Sequence, residues 1–192
     1  MSDVAAAIMD AAERRMRKAG FNGFSFREIA VDVGVKSSSV HYHFPTKENL
    51  AAAVIQRYTA QTADLIEREL QKEPNPVKVW VKAFRGTLHS EDRMCPCAVL
   101  GASTMDLPLE VSAEVKKFFK MCHEKLVEEG LSSDEASQLL ATITGALVVA
   151  TAVNEAPSGD ARDLSQASAL VAGVLQGCAS SREKFALAES WL

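Results

Sequence analysis

Between Lys36 and Lys47 the chain sets out a run of hydrogen-bond donors with no acidic residue among them: Lys36, Ser37, Ser38, Ser39, His41, Tyr42, His43, Thr46 and Lys47. Such side chains suit the acceptor edges of bases and the anionic oxygens of phosphate. Ser37, Ser38 and His41 are the candidates for base edges, and Tyr42, His43 and Lys47 for phosphate. A second set carries sulfur: Cys95-Pro96-Cys97, then Cys122-His123, with His89 upstream. A thiolate is a nucleophile and a soft metal ligand. One residue between Cys95 and Cys97 does not match the two of a thioredoxin-like motif. The spacings also fit no paired zinc pattern, so no metal or cofactor is assigned. Cys95, Cys97 and Cys122 are candidates for redox or electrophile sensing, beside the plainer reading of a cysteine as a small buried hydrophobe.

The donor run needs elements to present it. Ser25-Phe26-Arg27-Glu28 has the Ser-x-x-Glu spacing of a capping box, which predicts a helix start. Phe26, Ile29, Ala30 and Val33 recur at helical spacing, and Gly34 ends the run where a sharp turn needs a positive φ. Val35 and Val40 resume the apolar pattern. Small residue, turn glycine and later aliphatic in this order predict a helix-turn-helix, its second helix running from Ser37 to Phe44. Only Val40 and Phe44 anchor that helix, which is too short and polar to fold alone. Pro45 stops it, Thr46 caps the next, and Lys47 falls in the first turn of the new helix, where it opposes the helix dipole. An anion held there would offset that cost.

The stretch VHYHFPTKENL, residues 40–50, resembles the signature of the TetR family of transcriptional regulators, specifically over about residues 3–55 and weakly beyond. It departs from the family at His41, where tyrosine is frequent. The resemblance implies a dimeric, all-helical, DNA-binding repressor whose C-terminal domain binds a small ligand.

The expected fold is all-α: a three-helix head over residues 1–47 and a helical-bundle body over 48–192 for ligand binding and dimerisation. With 192 residues, 47% of them hydrophobic, the chain can build a core. Its net charge of −4 argues against a general nucleic-acid binder. The split is more telling. Residues 1–47 hold seven Lys+Arg against five Asp+Glu, and residues 48–192 fourteen against twenty. A basic head on an acidic body confines phosphate attraction to one end. Neither a signal peptide nor an uninterrupted membrane-length apolar run is evident, so the expectation is a soluble cytoplasmic protein with reduced thiols.

Along the body, helices are expected to about Gln71, from Pro76 to about His89, within 94–105, from Glu110 to Glu129, from a second capping box at Ser132–Glu135 to about Asn154, and from Asp163 to Cys178. The last two are rich in small residues. Paired with a copy of themselves they would form a four-helix bundle, the expected homodimer interface. Trp80, Phe84, Met94, Cys97, Leu100, Met105, Phe118 and Cys122 supply the aromatic and flexible apolar side chains expected of a pocket for a small apolar effector, or equally of an ordinary core. No nucleophile elbow, phosphate loop or cofactor fingerprint appears, which argues against an enzyme. The leading expectation is a ligand-released repressor bound to a double-stranded operator. The alternatives are a thiol-based switch on the same scaffold and a helical interaction module without DNA binding.

Overall fold

The computed structural model describes residues 3–89 and 94–153. Every regular element among them is helical: α1 Asp3–Ala19, α2 Phe26–Val33, α3 Ser37–His43, α4 Lys47–Leu70, α5 Pro76–His89, α6 Pro96–Gly101, α7 Leu109–Glu128 and α8 Ser133–Val153, with single 3-10 turns at Phe21–Gly23 and Thr104–Asp106. The chain is therefore all-α, as its periodicity predicts. The helix expected over Asp163–Cys178 lies outside the described residues.

The helix boundaries follow local chemistry. The Ser25 hydroxyl accepts from the Glu28 N–H at 3.3 Å and donates to the Glu28 carboxylate at 2.7 Å, closing the capping box of α2. Gly34 takes φ 74°, and Val35 N–H returns to the Ala30 carbonyl at 2.9 Å, so the last turn of α2 is satisfied. Asn75 caps α5 through Lys78 N–H at 3.2 Å, and Pro76 fills its first position. Ser132 and Glu135 form the second capping box, with Ser132 N–H on the Glu135 carboxylate at 2.8 Å. One element is shorter than expected. The apolar run 94–105 yields only Pro96–Gly101 as α-helix before the 3-10 turn.

Packing divides the chain into two units, one holding residues 1–63 with 94–121, the other 64–93 with 122–192. In the first unit, α2 packs on α1 and α3, and α6 packs on α1. Its core holds Ile8, Met16, Ile29, Val40, Leu50 and Ile55, each fully buried. In the second unit, α5 packs on α8, and the core includes Ile66, Trp80, Leu126, Leu139 and Ile143. Burying an aliphatic side chain of this size stabilises by about 1.5–3 kcal/mol, so each unit has enough apolar surface to order its helices.

Candidate nucleic-acid interface

The candidate surface is built from α3 outward. Val40 is wholly buried and Phe44 is 9% exposed, so two anchors fix a helix of only seven residues. The rest faces out. Ser37, Ser38, His41 and Tyr42 are exposed, Tyr42 at 83%, while Ser39 and His43 are half-buried. His41 stands edge-on to Phe26 of α2, centroids 4.7 Å apart, and Tyr42 stands edge-on to His43 at 5.1 Å. These ring contacts restrict the rotamers of the donors before any partner arrives. Lys36 and Thr46 are exposed at the two ends of α3, and Thr46 Oγ1 accepts from Asn49 N–H at 3.1 Å, capping α4.

The head is clamped to α1 by Arg15. Its guanidinium donates to both oxygens of Asp32 at 2.5 and 3.0 Å and to Glu28 at 3.1 Å. The Arg15 hydrogen bond is the main cause of the lowered Asp32 pKa, while at Glu28 the Ser25 hydroxyl contributes most and Arg15 adds to it. Bidentate geometry fixes the direction of α2 relative to α1. No local pattern signals this clamp, because Arg15 and Asp32 stand 17 residues apart.

Lys47 sits differently from a free cation. Its ammonium lies 4.5 Å from the ring centre of Phe21 and 4.8 Å from that of Phe24. Burial lowers its pKa, partly opposed by the charges of Glu48 and Glu28. Phe21 and Phe24, in the link after α1, thus form the seat of Lys47 at the start of α4.

A family model described as bacterial regulatory proteins, tetR family, matches residues 8–54, which span α1, α2, α3 and the start of α4. A TetR transcriptional regulator from Legionella pneumophila, 26% identical, superposes with a TM-score of 0.79 over 92% of this chain and 98% of that one. Over residues 8–54 the chain is similar to the tetR family, and its fold is shared with TetR regulators. A TetR-family regulator from Agrobacterium tumefaciens is similar at 24% identity and a TM-score of 0.73, covering 91% of this chain and 95% of that one. The regulator FadR from Bacillus subtilis, solved with stearoyl-CoA, shares the fold at 14% identity, with a TM-score of 0.66 over 90% of this chain and 98% of that one. The comparison with curated proteins gave no match.

The residues expected to line a pocket fall in both packing units. Met94, Cys97, Leu100 and Phe118 are buried in the first, with the Phe118 ring tilted against Tyr58 at 5.5 Å and edge-on to Phe119 at 5.3 Å. Trp80, Phe84 and Cys122 are buried in the second. Met105 differs: it stands 97% exposed on the 3-10 turn and contributes no apolar wall, because the helix expected to carry it inward stops at Gly101. Within the second unit the indole N–H of Trp80 and the hydroxyl of Thr144 are buried without a hydrogen-bond partner among the described residues.

The thiols are also placed. Cys95, Cys97 and Cys122 are all buried, and none of them is in a disulfide. No group of His, Cys, Asp and Glu among the described residues is arranged to hold a metal. Around Cys95 the structure gathers partners that sequence reasoning missed. Burial would push this thiol up, but hydrogen bonds from Cys97 and Tyr58, with the N–H groups of Ala98 and Cys97, bring it down to about 7. Burial, and then the charge of Cys95, push Tyr58 well above its ordinary value. Arg17 lies 5.1 Å over the Tyr58 ring and donates to the Met94 carbonyl at 2.6 Å. No local signal ties Arg17 and Tyr58 to Cys95, since they stand 78 and 37 residues before it (95 − 17 and 95 − 58).

Proposed function

We propose that this chain is a cytoplasmic, homodimeric repressor that leaves its operator when a small apolar ligand binds the body. The observation that carries the DNA-binding part is the exposed face of α3, where Ser37, Ser38, His41 and Tyr42 offer donors and no carboxylate, on a helix fixed by Val40 and Phe44. In this reading Ser37, Ser38 and His41 read base edges. Lys36, Ser39, Tyr42, His43, Thr46 and Lys47 position the head on phosphate. Residues 1–47 are the reading head and 48–192 the body for effector and dimer.

Three further observations support the regulatory part. The Trp80 indole N–H, fully buried and unpartnered among the described residues, suits an effector with one hydrogen-bond acceptor on an apolar frame. The likeness to FadR, solved with stearoyl-CoA, fits an apolar effector of this fold. Inside the first unit, Arg17 to Met94 O and Asn49 to Glu110 at 3.2 Å tie the head helices to the segments that carry Cys97, Leu100 and Phe118. An effector that prefers a shifted arrangement of those segments would move the head and lower its affinity for DNA.

For the dimer the support is α8. Its stretch Ser133–Ala152 is long and apolar enough, by length and composition, to cross a membrane, yet only 33% of it is buried. Val148 and Val149 are 46% and 43% exposed. A second copy is the occupant proposed for this face, since two half-sites on DNA require two heads.

Fluorescence anisotropy with DNA recovered from a random-site selection tests the reading. Specific binding in the nanomolar range, abolished by an apolar ligand that quenches Trp80 fluorescence, is the expected result. Failure of the selection to enrich any sequence would remove the DNA-binding claim.

A further inference from the structure

The start of α6 brings two thiols together under cover. Cys95 is 1% and Cys97 0% exposed, with Pro96 between them at the first helical position. The Cys97 thiol and the Tyr58 hydroxyl both hydrogen-bond to the Cys95 sulfur, and the first N–H groups of α6 favour its anion. A cysteine that merely fills apolar space gains no such donors, and burial leaves it protonated and inert. This one is surrounded by groups that stabilise a thiolate, and its neighbour is the second thiol a disulfide requires.

We propose that Cys95 and Cys97 form a reversible dithiol–disulfide pair that responds to small hydroperoxides, and that closing the pair displaces the C-terminal end of α1. The Cys95 thiolate attacks the terminal oxygen of the hydroperoxide. An S–O bond forms, the O–O bond breaks, and the leaving alkoxide takes a proton to become the alcohol. Cys97 sulfur then attacks the sulfenic sulfur. The S–S bond forms, the S–O bond breaks, and hydroxide leaves with the Cys97 proton as water. Two thiols lose two electrons and the peroxide gains them. A cellular dithiol reverses the step by thiol–disulfide exchange, and a disulfide closed across one residue is a small, strained ring that reduces readily. With Cys95 1% and Cys97 0% exposed, burial restricts the oxidant to small molecules.

The coupling is geometric. Closing the bond brings two hydrogen-bonded sulfurs to about 2.05 Å, so Cys95 must shift and Tyr58 loses its anionic acceptor. Met94, the adjacent residue, holds Arg17 of α1 through its carbonyl at 2.6 Å. Val99 of α6 lies against Gly20, where an added Cβ would stand 3.6 Å from Val99 Cγ1 and where φ is 66° at the turn out of α1. Movement of α6 is therefore felt where the chain enters the helix-turn-helix. Only the consequence for DNA rests on the repressor reading above.

The test treats reduced full-length protein with hydrogen peroxide and maps thiols by non-reducing peptide mass spectrometry. The expected product is a Cys95–Cys97 disulfide, two hydrogens lighter, formed at a rate that rises with pH through about 7. Tyr58→Phe should slow it about fivefold at neutral pH, since it removes one donor to the thiolate. Cys97→Ser should stall the reaction at a dimedone-trapped sulfenic acid on Cys95. Amide hydrogen exchange in residues 14–24 should quicken on oxidation and recover with dithiothreitol. Oxidation of Cys122 or Cys178 while Cys95 and Cys97 stay reduced would overturn the site. A closed disulfide with unchanged exchange in 14–24 would overturn the coupling. Reduced protein that selects no DNA sequence removes the repressor reading and leaves the mass result to decide the thiol pair.

Discussion

Lys47 shows how one side chain can serve two ends. Its ammonium rests over Phe21 and Phe24, an attraction worth about 0.5–1 kcal/mol at a site of this exposure. It also starts α4 beside α3, where a phosphate contact was expected from the dipole argument alone. Lys47→Ala should lower stability by that amount in urea titration. If Lys47 also meets a phosphate, the slope of log affinity against log salt should fall by about 1. A stability loss with an unchanged salt slope would make it a structural lysine only. The cation was legible in the sequence, but its aromatic seat was not, because Phe21 and Phe24 reach Lys47 only after the chain has turned twice.

At the level of the element, α2 depends on its cap. Ser25→Ala removes the acceptor for Glu28 N–H and should cost about 1 kcal/mol, read as a lower urea midpoint with an unchanged slope. This was visible from the sequence because a capping box is local, as was its counterpart at Ser132. The pairing of α4 with α5 was not visible. Glu69 accepts from Lys72 at 2.8 Å and from Lys82 at 2.7 Å, and the Lys72 and Lys82 hydrogen bonds lower its pKa from 4.5 to about 2. A carboxylate with a depressed folded pKa stabilises the fold above its unfolded value and loses that contribution as pH falls. Between about pH 4.5 and 2, wild-type stability should therefore drop as acid is added, and Glu69→Gln should flatten that part of the curve in thermal melts. Both lysines are exposed and Glu69 is half-buried, so high salt should shrink the difference.

For the molecule as a whole, the decisive surface is α8. Val148→Glu places a charge on an exposed site, so helicity should be unchanged by circular dichroism. If a second copy covers this face, sedimentation without detergent should shift from dimer to monomer, and affinity for a two-half-site operator should fall at least tenfold. A variant that stays dimeric would place the interface elsewhere. A wild type that needs detergent to stay in solution would favour a lipid occupant. Contacts group residues 94–121 with residues 1–63, a grouping that sequence order does not suggest. Arg17 and Met94, 77 residues apart, are joined by a hydrogen bond that no local pattern encodes.

By itself the sequence determined what depends on neighbours: all-helical periodicity, the caps at Ser25 and Ser132, the turn at Gly34, and the donor-only face between Lys36 and Lys47. These are set within one or two helical turns, where propensity and hydrogen-bond geometry act directly. Tertiary structure decided what depends on distant partners. It fixed the clamp of Arg15 on Asp32, exposed Met105, and turned Cys95 from one thiol among four into the acceptor of Cys97 and Tyr58. Charge and sulfur chemistry are governed by what surrounds a group after packing, and packing is chosen by the whole chain.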